Sequence, residues 1–250
     1  MTGMMAITMA GFGTRFAKAG YTIPKYCIEV LGRPLFDWSM LSLSAFRDAG
    51  WEFAFAVRRD DDTNDFIAER CRLLGIPIRH QLSLPEPTDG QATTAHLLAK
   101  QAAPSQPFAI FNIDTFVRPG AMAPEQIPAD CQGWVPCFPG PGDGWSFVRL
   151  DDNGRAVELR EKSRISPHAT VGFYWFASAG LYNDAYSRFF SAGGEEKGER
   201  YVAPLYNQLI TDGLIIRIQS LTLDDVGQLG TPDQVEAFKQ NPPESIKDFL

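Results

Sequence analysis

The sequence lacks the residue patterns of several large classes of protein. Four cysteines in 250 residues are too few and too scattered for a disulfide scaffold. No Cys-x-x-Cys pair occurs, and the three histidines lie far apart in the chain, so the spacing of a zinc site is absent. These absences favour a cytoplasmic protein whose cysteines are reduced thiols.

Long apolar runs and an excess of positive charge are also missing. No segment approaches the roughly 18 consecutive apolar residues that span a membrane. Lysine and arginine total 23 against 30 aspartates and glutamates, which leaves a net charge of −7. Binding to nucleic acid or to an anionic membrane requires a basic surface. Neither partner is therefore expected, while formation of a homo-oligomer stays open.

The apolar patterns of the first part of the chain predict an α/β fold. Met4–Met9, Glu52–Val57 and Phe108–Asn112 are short apolar runs typical of buried strands. The apolar residues of Leu35–Ala49 follow helical spacing. Strands that alternate with helices predict right-handed crossovers and a largely parallel sheet.

Shorter strands follow Asp114 and predict an antiparallel insertion. Asn153-Gly154, between two β-rich segments, is typical of a hairpin turn. Val171–Phe176 predicts a further strand, and Arg200–Asp212 predicts a helix. A last helix is expected from Pro232, with Thr231 as its cap. We expect residues 1–250 to form one mixed-sheet domain.

A glycine loop follows the first predicted strand. It reads Ala10-Gly11-Phe12-Gly13-Thr14-Arg15, and Pro24-Lys25 comes shortly after it. Backbone N–H groups in such a turn bind phosphate oxygens when no Cβ blocks the approach. A dinucleotide fingerprint needs a third glycine where Phe16 stands, and a P-loop needs a Gly-Lys pair that the sequence lacks.

The charge around this loop predicts a site for a polyanion. Residues 1–28 contain Arg15, Lys18 and Lys25 but no acidic residue, although the whole chain is acidic. Cationic side chains and backbone amides together stabilise the charge of an oligophosphate.

With these residues the chain resembles the sugar-phosphate nucleotidyltransferases, also called nucleoside-diphosphate-sugar pyrophosphorylases. The family signature stands here as Gly11-Phe12-Gly13-Thr14-Arg15 followed by Pro24-Lys25. Further motifs recur in the order of the family: Gly90-Gln91-Ala92-Thr93-Thr94-Ala95, Asn112-Ile113-Asp114, Glu161-Lys162, the strand from Val171, and Gly230-Thr231-Pro232. The resemblance covers roughly residues 5–238.

The resemblance implies both a fold and a reaction. The fold is a GT-A-like, Rossmann-like nucleotidyltransferase domain, with a mixed, mostly parallel sheet flanked by helices and an antiparallel insertion. Residues 1–115 would form its nucleotide-binding half, and residues 116–240 its acceptor-binding half. The reaction transfers a nucleoside monophosphate from a nucleoside triphosphate to a sugar phosphate or another small phosphorylated metabolite, and releases pyrophosphate. CTP, UTP or dTTP is the favoured donor, and the activated product is expected to serve the synthesis of a surface polysaccharide such as a capsule.

The resemblance also implies roles for individual residues. Arg15 and Lys25 would hold the triphosphate as catalytic cations, with backbone donors from Ala10 to Thr14. Gly90 and Gln91 would contact the base and ribose. In the acceptor half, Lys162 would hold the acceptor phosphate, Glu161 a hydroxyl or amine, and Gly172 would allow close approach.

A magnesium site is expected at Asp114, which ends a buried strand where the family keeps its metal aspartate. Mg²⁺ prefers carboxylate, phosphate and water oxygens. The family often has a second aspartate at the position of Gln228 in this chain. Either Asp225 replaces it as a ligand, or phosphates and water complete the shell.

Two other functions stay open at this point. One is a glycosyltransferase of related fold that consumes a nucleotide sugar; Arg15 and Lys25 argue against it, because a diphosphate donor has less need of two cations. The other is a non-catalytic nucleotide sensor, which Gln228 favours because a metal ligand is replaced.

Overall fold

The computed structural model of the chain describes residues 2–196 and 198–249. Its strands are β1 (Met4–Met9), β2 (Glu29–Val30), β3 (Arg33–Pro34), β4 (Glu52–Arg58), β5 (Ile78–Leu84), β6 (Phe108–Asn112), β7 (Thr115–Val117), β8 (Gly133–Phe138), β9 (Ser146–Leu150), β10 (Ala156–Glu161), β11 (Ala169–Thr170), β12 (Phe173–Phe176), β13 (Ile216–Ser220) and β14 (Val226–Gln228). Its α-helices are α1 (Thr14–Lys18), α2 (Leu35–Leu41), α3 (Ser44–Asp48), α4 (Asn64–Leu74), α5 (Gln91–Ala99), α6 (Ala179–Ser191), α7 (Tyr206–Thr211) and α8 (Pro232–Gln240). Short 3-10 helices lie at Lys25–Cys27, Arg59–Asp61, Pro124–Gln126, Ala203–Leu205, Leu223–Asp225 and Glu244–Phe249.

Within the described residues, ten strands form one mixed sheet. Their order is β10-β9-β11-β8-β12-β6-β1-β4-β5, and β13 also pairs with β8. Strands β5, β4, β1 and β6 run parallel to one another, whereas β12 lies antiparallel between β6 and β8. This confirms the predicted α/β fold, a mixed sheet flanked by helices with its antiparallel part in the second half of the chain.

Both faces of the central strands are buried, which explains their continuous apolar sequence. In β1, Met5 and Ile7 belong to a core cluster that includes side chains of α2, α3 and α4. Met4 and Ala6 belong to a second cluster with α5, α6 and α7 on the opposite face. The alternation follows from the two-residue period of a strand. Helices therefore cover the sheet on both sides.

A third cluster joins α8 to the rest of the molecule. It contains Phe16 of α1, Trp38 of α2, Phe116 of β7 and Phe238 of α8. Strands β7 and β14 form a separate antiparallel pair beside the main sheet. As predicted, Thr231 caps α8: its side chain accepts a hydrogen bond from a backbone N–H of the first turn.

Two predicted helices differ from the structure. The helix predicted over Leu35–Ala49 is interrupted between α2 and α3, where the hydroxyl of Ser42 accepts a hydrogen bond from the N–H of Val117 at 2.8 Å. The helix predicted over Arg200–Asp212 starts only with the 3-10 helix Ala203–Leu205. Proline restricts the residue before it and has no N–H, so Pro204 is compatible with a helix start but not with a helix interior.

The strand predicted over Val171–Phe176 is shorter in the structure, where β12 begins at Phe173. Gly172, with a φ of 78°, lies between β11 and β12. The four cysteines are free thiols. Among residues 2–196 and 198–249, no helix has the length and apolar character needed to cross a bilayer.

Candidate active site

Two neighbouring cavities lie at the edge of the sheet where the parallel strands β1 and β6 end. The glycine-loop cavity has a volume of about 600 Å³. Its lining residues are residues 8–14, Lys25, residues 87–91, Thr94, residues 112–114, Gly198 and Glu199. The carboxyl edge of parallel strands is the usual place for a ligand in an open α/β sheet.

The second cavity, here the Lys162 cavity, has a volume of about 510 Å³. Its lining residues are Arg15, Gln91, Asn112, Asp114, Thr115, residues 141–146, Glu161, Lys162, residues 170–172, Tyr174, Tyr201, Val202, Gln228, Gly230 and Gln234. Gln91, Asn112 and Asp114 line both cavities. The two cavities therefore meet at these three residues.

The glycine loop connects β1 to α1 and borders the first cavity. Gly13 has a left-handed backbone with a φ of 59°, which starts α1. A Cβ built on Gly11 would meet no atom within 4 Å, and the backbone of Gly11 is outside the left-handed region. Packing and backbone strain therefore do not require a glycine at position 11. Because Gly11 has no side chain, it leaves open space at the wall of the glycine-loop cavity.

Lys25 and Asp114 form an ion pair where the cavities meet. The Nζ of Lys25 lies 2.7 Å from Oδ2 of Asp114, and the two side chains are 20% and 28% exposed. Arg15 is exposed on α1 and lines the Lys162 cavity instead of the glycine-loop cavity. The two predicted triphosphate cations are thus on different sides of the junction.

Gln91 is the first residue of α5 and is fixed by the ends of two strands. Its Nε2 donates to Oγ1 of Thr8 at 3.1 Å and also to Oδ1 of Asn112. Gln91 therefore lines the cavity as predicted, but its amide N–H groups are engaged within the protein. The group that the Gln91 side chain can offer to a nucleotide base is therefore chiefly its carbonyl oxygen.

Lys162 is held between an aromatic ring and a buried carboxylate. Its Nζ donates to the hydroxyl of Tyr201 at 2.9 Å and lies 3.5 Å from Oε1 of Glu161. Burial alone lowers the pKa of Lys162, but the hydrogen bond to Tyr201 and the charge of Glu161 outweigh it, so the pKa lies above its usual value. The hydrogen bond and the carboxylate therefore both favour the charged form of Lys162.

Glu161 lies at the start of a buried hydrogen-bond chain. Its Oε2 accepts from the hydroxyl of Ser146, which in turn accepts from the hydroxyl of Tyr174 at 3.3 Å. Burial raises the pKa of Glu161, and the opposing effects of Ser146 and Lys162 only partly offset it. Burial thus makes the carboxylate costly to ionise, and a hydrogen-bond donor on a ligand would favour its charged form.

Comparisons with known proteins indicate the family to which the chain belongs. No protein-family model and no curated protein matches the chain. The crystal structure of the nucleoside-diphosphate-sugar pyrophosphorylase from Vibrio cholerae RC9 is similar, with 37% identity, a TM-score of 0.87, and coverage of 95% of this chain and 100% of the other. The chain belongs to the nucleoside-diphosphate-sugar pyrophosphorylase family. It is accordingly a nucleotidyltransferase, as the sequence predicts.

More distant structures share the fold of this pyrophosphorylase family member. The inositol-1-phosphate CTP transferase from T. maritima has 14% identity and a TM-score of 0.79, covering 100% of this chain and 98% of its own. The CTP:phosphocholine cytidylyltransferase from Streptococcus pneumoniae has 12% identity and a TM-score of 0.72, covering 96% of this chain and 99% of its own. At these identities the likeness concerns the fold alone.

Asp225 does not reach the junction of the cavities in this member of the family. Its Oδ1 accepts from Nε of Arg118 at 2.7 Å, and its Oδ2 accepts from the backbone N–H and the hydroxyl of Thr222 at 2.9 and 2.8 Å. The carboxylate is thus used to cap the 3-10 helix Leu223–Asp225. This geometry does not support Asp225 as the second metal ligand.

Gln228 does line the Lys162 cavity together with Asp114. Its Oε1 accepts a hydrogen bond from Nε2 of Gln234 at 2.9 Å. In the described part of the chain, no group of three or more histidines, cysteines and acidic residues could hold a metal ion. Of the two predicted metal ligands, Asp114 and Asp225, the fold places Asp114 where the two cavities meet.

Gly172 lines the Lys162 cavity, as predicted for an acceptor-binding residue. A Cβ at this position would clash with Nδ2 of Asn112, and the φ of 78° is in the left-handed region. Packing against Asn112 and the backbone conformation therefore already require a glycine here. The close approach of an acceptor to Gly172 stays a prediction.

Sequence reasoning missed Tyr201, which lines the Lys162 cavity, and Arg200, which contacts the loop that borders the glycine-loop cavity. Both were assigned to a predicted helix, where Tyr201 would have been an ordinary amphipathic position. The signal that could have placed them in a loop is Pro204, which favours the first turn of a helix. A loop before a helix start is a common place for binding residues.

Proposed function

We propose that this enzyme transfers a nucleoside monophosphate from a nucleoside triphosphate to a phosphorylated sugar, or to another small phosphorylated metabolite, and releases pyrophosphate. The triphosphate would occupy the glycine-loop cavity, within the nucleotide-binding half at residues 1–115. The acceptor would occupy the Lys162 cavity, mostly formed by residues 116–240. The observation that carries the proposal is that the two cavities meet at Gln91, Asn112 and Asp114.

The shared boundary suits a reaction between two anions. Transfer to phosphorus requires the attacking and leaving oxygens to be in line, and positioning supplies much of the catalysis. Two ligands in adjacent cavities meet in one place only, which is beside Asp114. Lys25 and Arg15 approach this place from opposite sides and would neutralise part of the charge as the α-phosphorus is attacked.

The acceptor phosphate can attack without a protein base. A phosphate monoester has a second pKa of about 6, so its oxygen is largely ionised at neutral pH. None of His80, His96 and His168 lines either cavity. We assign Lys162 to the acceptor phosphate, and Glu161 to a hydroxyl or amine of the acceptor. The raised pKa of Glu161 suits this role, because a hydrogen-bond donor on the acceptor stabilises its ionised form.

The residues present fit a Mg²⁺ bound by one protein carboxylate. Of the described residues that line the glycine-loop cavity, Lys25 carries the one positive charge, while Asp89, Asp114 and Glu199 are acidic. A triphosphate there needs a further cation. Mg²⁺ commonly binds one or two carboxylates together with substrate phosphates and water. Asp114 would provide that carboxylate, and the bound ion would neutralise phosphate charge.

The donor base and the pathway are the finer parts of the proposal. Gly90 and the carbonyl oxygen of Gln91 border the glycine-loop cavity and would face the base, for which CTP, UTP and dTTP are our first candidates. We further propose that the enzyme acts in the cytoplasm and that its product supplies the synthesis of surface polysaccharide. This last step rests on the resemblance of the motifs described above.

The first experiment is a thermal-shift series with ATP, CTP, GTP, UTP and dTTP, each with and without Mg²⁺. A ligand at about 100 times its dissociation constant adds roughly 2.7 kcal/mol of stability. This corresponds to about 5–10 °C for a domain of this size. One triphosphate should raise Tm, and Mg²⁺ should enlarge the rise.

The triphosphate that binds is then incubated with a panel of sugar phosphates, phosphocholine and inositol phosphate, and pyrophosphate release is measured. Release with one acceptor supports the proposal and excludes a nucleotide sensor. Stabilisation by nucleoside-diphosphate sugars alone, with no response to any triphosphate, would contradict it and favour use of a nucleotide sugar.

A further inference from the structure

One short segment, residues 198–202, reaches both cavities. Gly198 and Glu199 line the glycine-loop cavity. Tyr201 and Val202 line the Lys162 cavity. We call residues 198–202 the bridge segment. Arg200, at its centre, lines neither cavity but contacts the loop that borders the first one.

The backbone of Arg200 forms hydrogen bonds with residues on both sides of Gly90. Its N–H donates to the carbonyl of Asp89 at 2.9 Å, and its carbonyl accepts from the N–H of Ala92 at 2.9 Å. A Cβ on Gly90 would lie 2.5 Å from the carbonyl oxygen of Arg200. The bridge segment and the start of α5 are thus in direct backbone contact. A shift of the Gly90 loop must move Arg200, or break both hydrogen bonds.

The side chain of Arg200 fixes the bridge segment to α6. Its Nη1 donates to the hydroxyl of Tyr186 at 3.0 Å, and its guanidinium carbon lies 5.2 Å from the ring centroid of Phe190. Its Nε lies 3.1 Å from Oδ2 of Asp89 and 3.0 Å from Oε1 of Glu195. An exposed ion pair contributes little alone, but several fixed partners and an aromatic face restrict this side chain to one place.

Tyr201 continues the connection to the acceptor lysine. Its hydroxyl accepts from Nζ of Lys162 at 2.9 Å, and the same Nζ lies 4.7 Å from its ring centroid. Lys162 has a φ of 48°, a conformation that non-glycine residues adopt rarely. Such a backbone persists only where surrounding contacts hold it. Tyr201 is one of those contacts.

We propose that Arg200 and Tyr201 are positioning residues that couple the two cavities. Binding of a triphosphate against the Gly90 loop would restrict Arg200, and through Tyr201 it would restrict Lys162 before the acceptor arrives. The inference rests on the proposed function, because it takes the glycine-loop cavity to be the triphosphate site. It adds a route by which occupancy of one cavity prepares the other.

Hydrogen exchange tests this coupling without knowledge of the acceptor. The triphosphate that raises Tm is added with Mg²⁺, and exchange is followed in peptides from the glycine loop, the bridge segment and residues 160–163. With no acceptor present there is no transfer reaction. We expect slower exchange in all three regions. Couplings of the usual size change an equilibrium by about 5- to 150-fold, so the slowing at residues 160–163 should be about fivefold or more.

Two conservative variants interrupt the route at different points. Tyr201→Phe keeps the ring and removes the hydrogen bond to Lys162; protection should persist in the glycine loop and disappear at residues 160–163. Arg200→Lys keeps the charge and loses the bond to Tyr186; protection of the bridge segment and of residues 160–163 should both decrease. Arg188→Lys is the matched control, because Arg188 lies on α6, the helix that Arg200 contacts, but pairs with Asp212 and lines neither cavity.

The outcomes separate this inference from the proposed function. Protection of the glycine loop in the wild type without protection at residues 160–163 would overturn the coupling and leave the triphosphate site in place. Equal protection at residues 160–163 in Tyr201→Phe and the wild type would also overturn it. Absence of protection in the glycine loop with every triphosphate would contradict the proposed function itself. Melting temperatures of the variants, expected within a few degrees of the wild type, show that each one is folded.

Discussion

Replacing Gly11 with alanine should stabilise the protein and weaken its binding of triphosphate. The added Cβ has no protein atom within 4 Å, and the backbone at this position is outside the left-handed region. Alanine restricts the unfolded chain more than glycine, which stabilises a compatible site by about 0.4–1 kcal/mol. At about 2–4 °C per kcal/mol, Tm should rise by about 1–4 °C.

The same methyl group should interfere with the ligand. If the backbone of Gly11 receives a phosphate oxygen, the Cβ keeps that oxygen from its closest approach and disturbs a charge-assisted hydrogen bond. Such bonds contribute about 1.5–3 kcal/mol, and their loss corresponds to roughly 10- to 150-fold in Kd. Titration calorimetry with the triphosphate and Mg²⁺ measures this change, and a melting curve of the free protein measures the stability.

Gly144→Ala is the matched control. Gly144 also has no neighbour within 4 Å of a built Cβ and no left-handed φ, but it lines the Lys162 cavity. The Gly144→Ala variant should gain similar stability and keep the wild-type affinity for the triphosphate. Wild-type affinity in Gly11→Ala would refute the idea that this glycine admits a phosphate. A clear fall in its Tm would refute the claim that packing leaves position 11 free.

Three further substitutions test the assigned roles. Lys25→Ala should lower kcat/KM in a pyrophosphate-release assay by about 10- to 100-fold. Its Tm should change little, because the ion pair that is lost is partly exposed. Unchanged turnover would show that Lys25 is not part of the triphosphate site. Asp114→Asn should abolish the dependence of turnover on Mg²⁺ concentration, and a variant with the wild-type Mg²⁺ response would place the metal elsewhere. Tyr201→Phe removes a hydrogen bond that raises the pKa of Lys162 against the effect of burial. Lys162 should then lose its proton at lower pH, so the alkaline rise in the KM of the acceptor should begin earlier; an identical pH profile would contradict this assignment.

The sequence predicts best where a local pattern and the fold require the same conformation. Strand β1 matches its predicted bounds, because an apolar run that ends in a glycine turn has few alternatives. The cap at Thr231 and the Asn-Gly turn between β9 and β10 depend on neighbouring residues only. Such features can be recognised without knowledge of the rest of the molecule.

The features that sequence reasoning missed depend on contacts between distant parts of the chain. The break between α2 and α3 involves a hydrogen bond from Val117 to Ser42, which no local pattern indicates. The constraint on Gly172 comes from Asn112, on the neighbouring strand of the sheet. A motif shows that a glycine is special, but it does not show whether a ligand or another side chain occupies the space beside it.

The candidate site shows the same division. The residues predicted for the nucleotide all line one cavity, apart from Arg15, and those predicted for the acceptor line the other. These residues belong to motifs that can be recognised from neighbouring residues in the sequence. The position of Asp225 cannot be recognised in this way, because it depends on its partner Arg118, which is distant in the sequence.

One continuous sheet lies beneath both cavities, and this limits how the enzyme can diversify. Asn112 at the end of β6 and Gly172, just before β12, are adjacent through a backbone hydrogen bond of 3.1 Å. The spacing between the two cavities is therefore set by the separation of these strands. Loops such as residues 139–145 can vary in length and sequence without altering that spacing. Under the proposed function, changes in such loops can exchange one acceptor for another while the distance over which the nucleotidyl group is transferred stays constant.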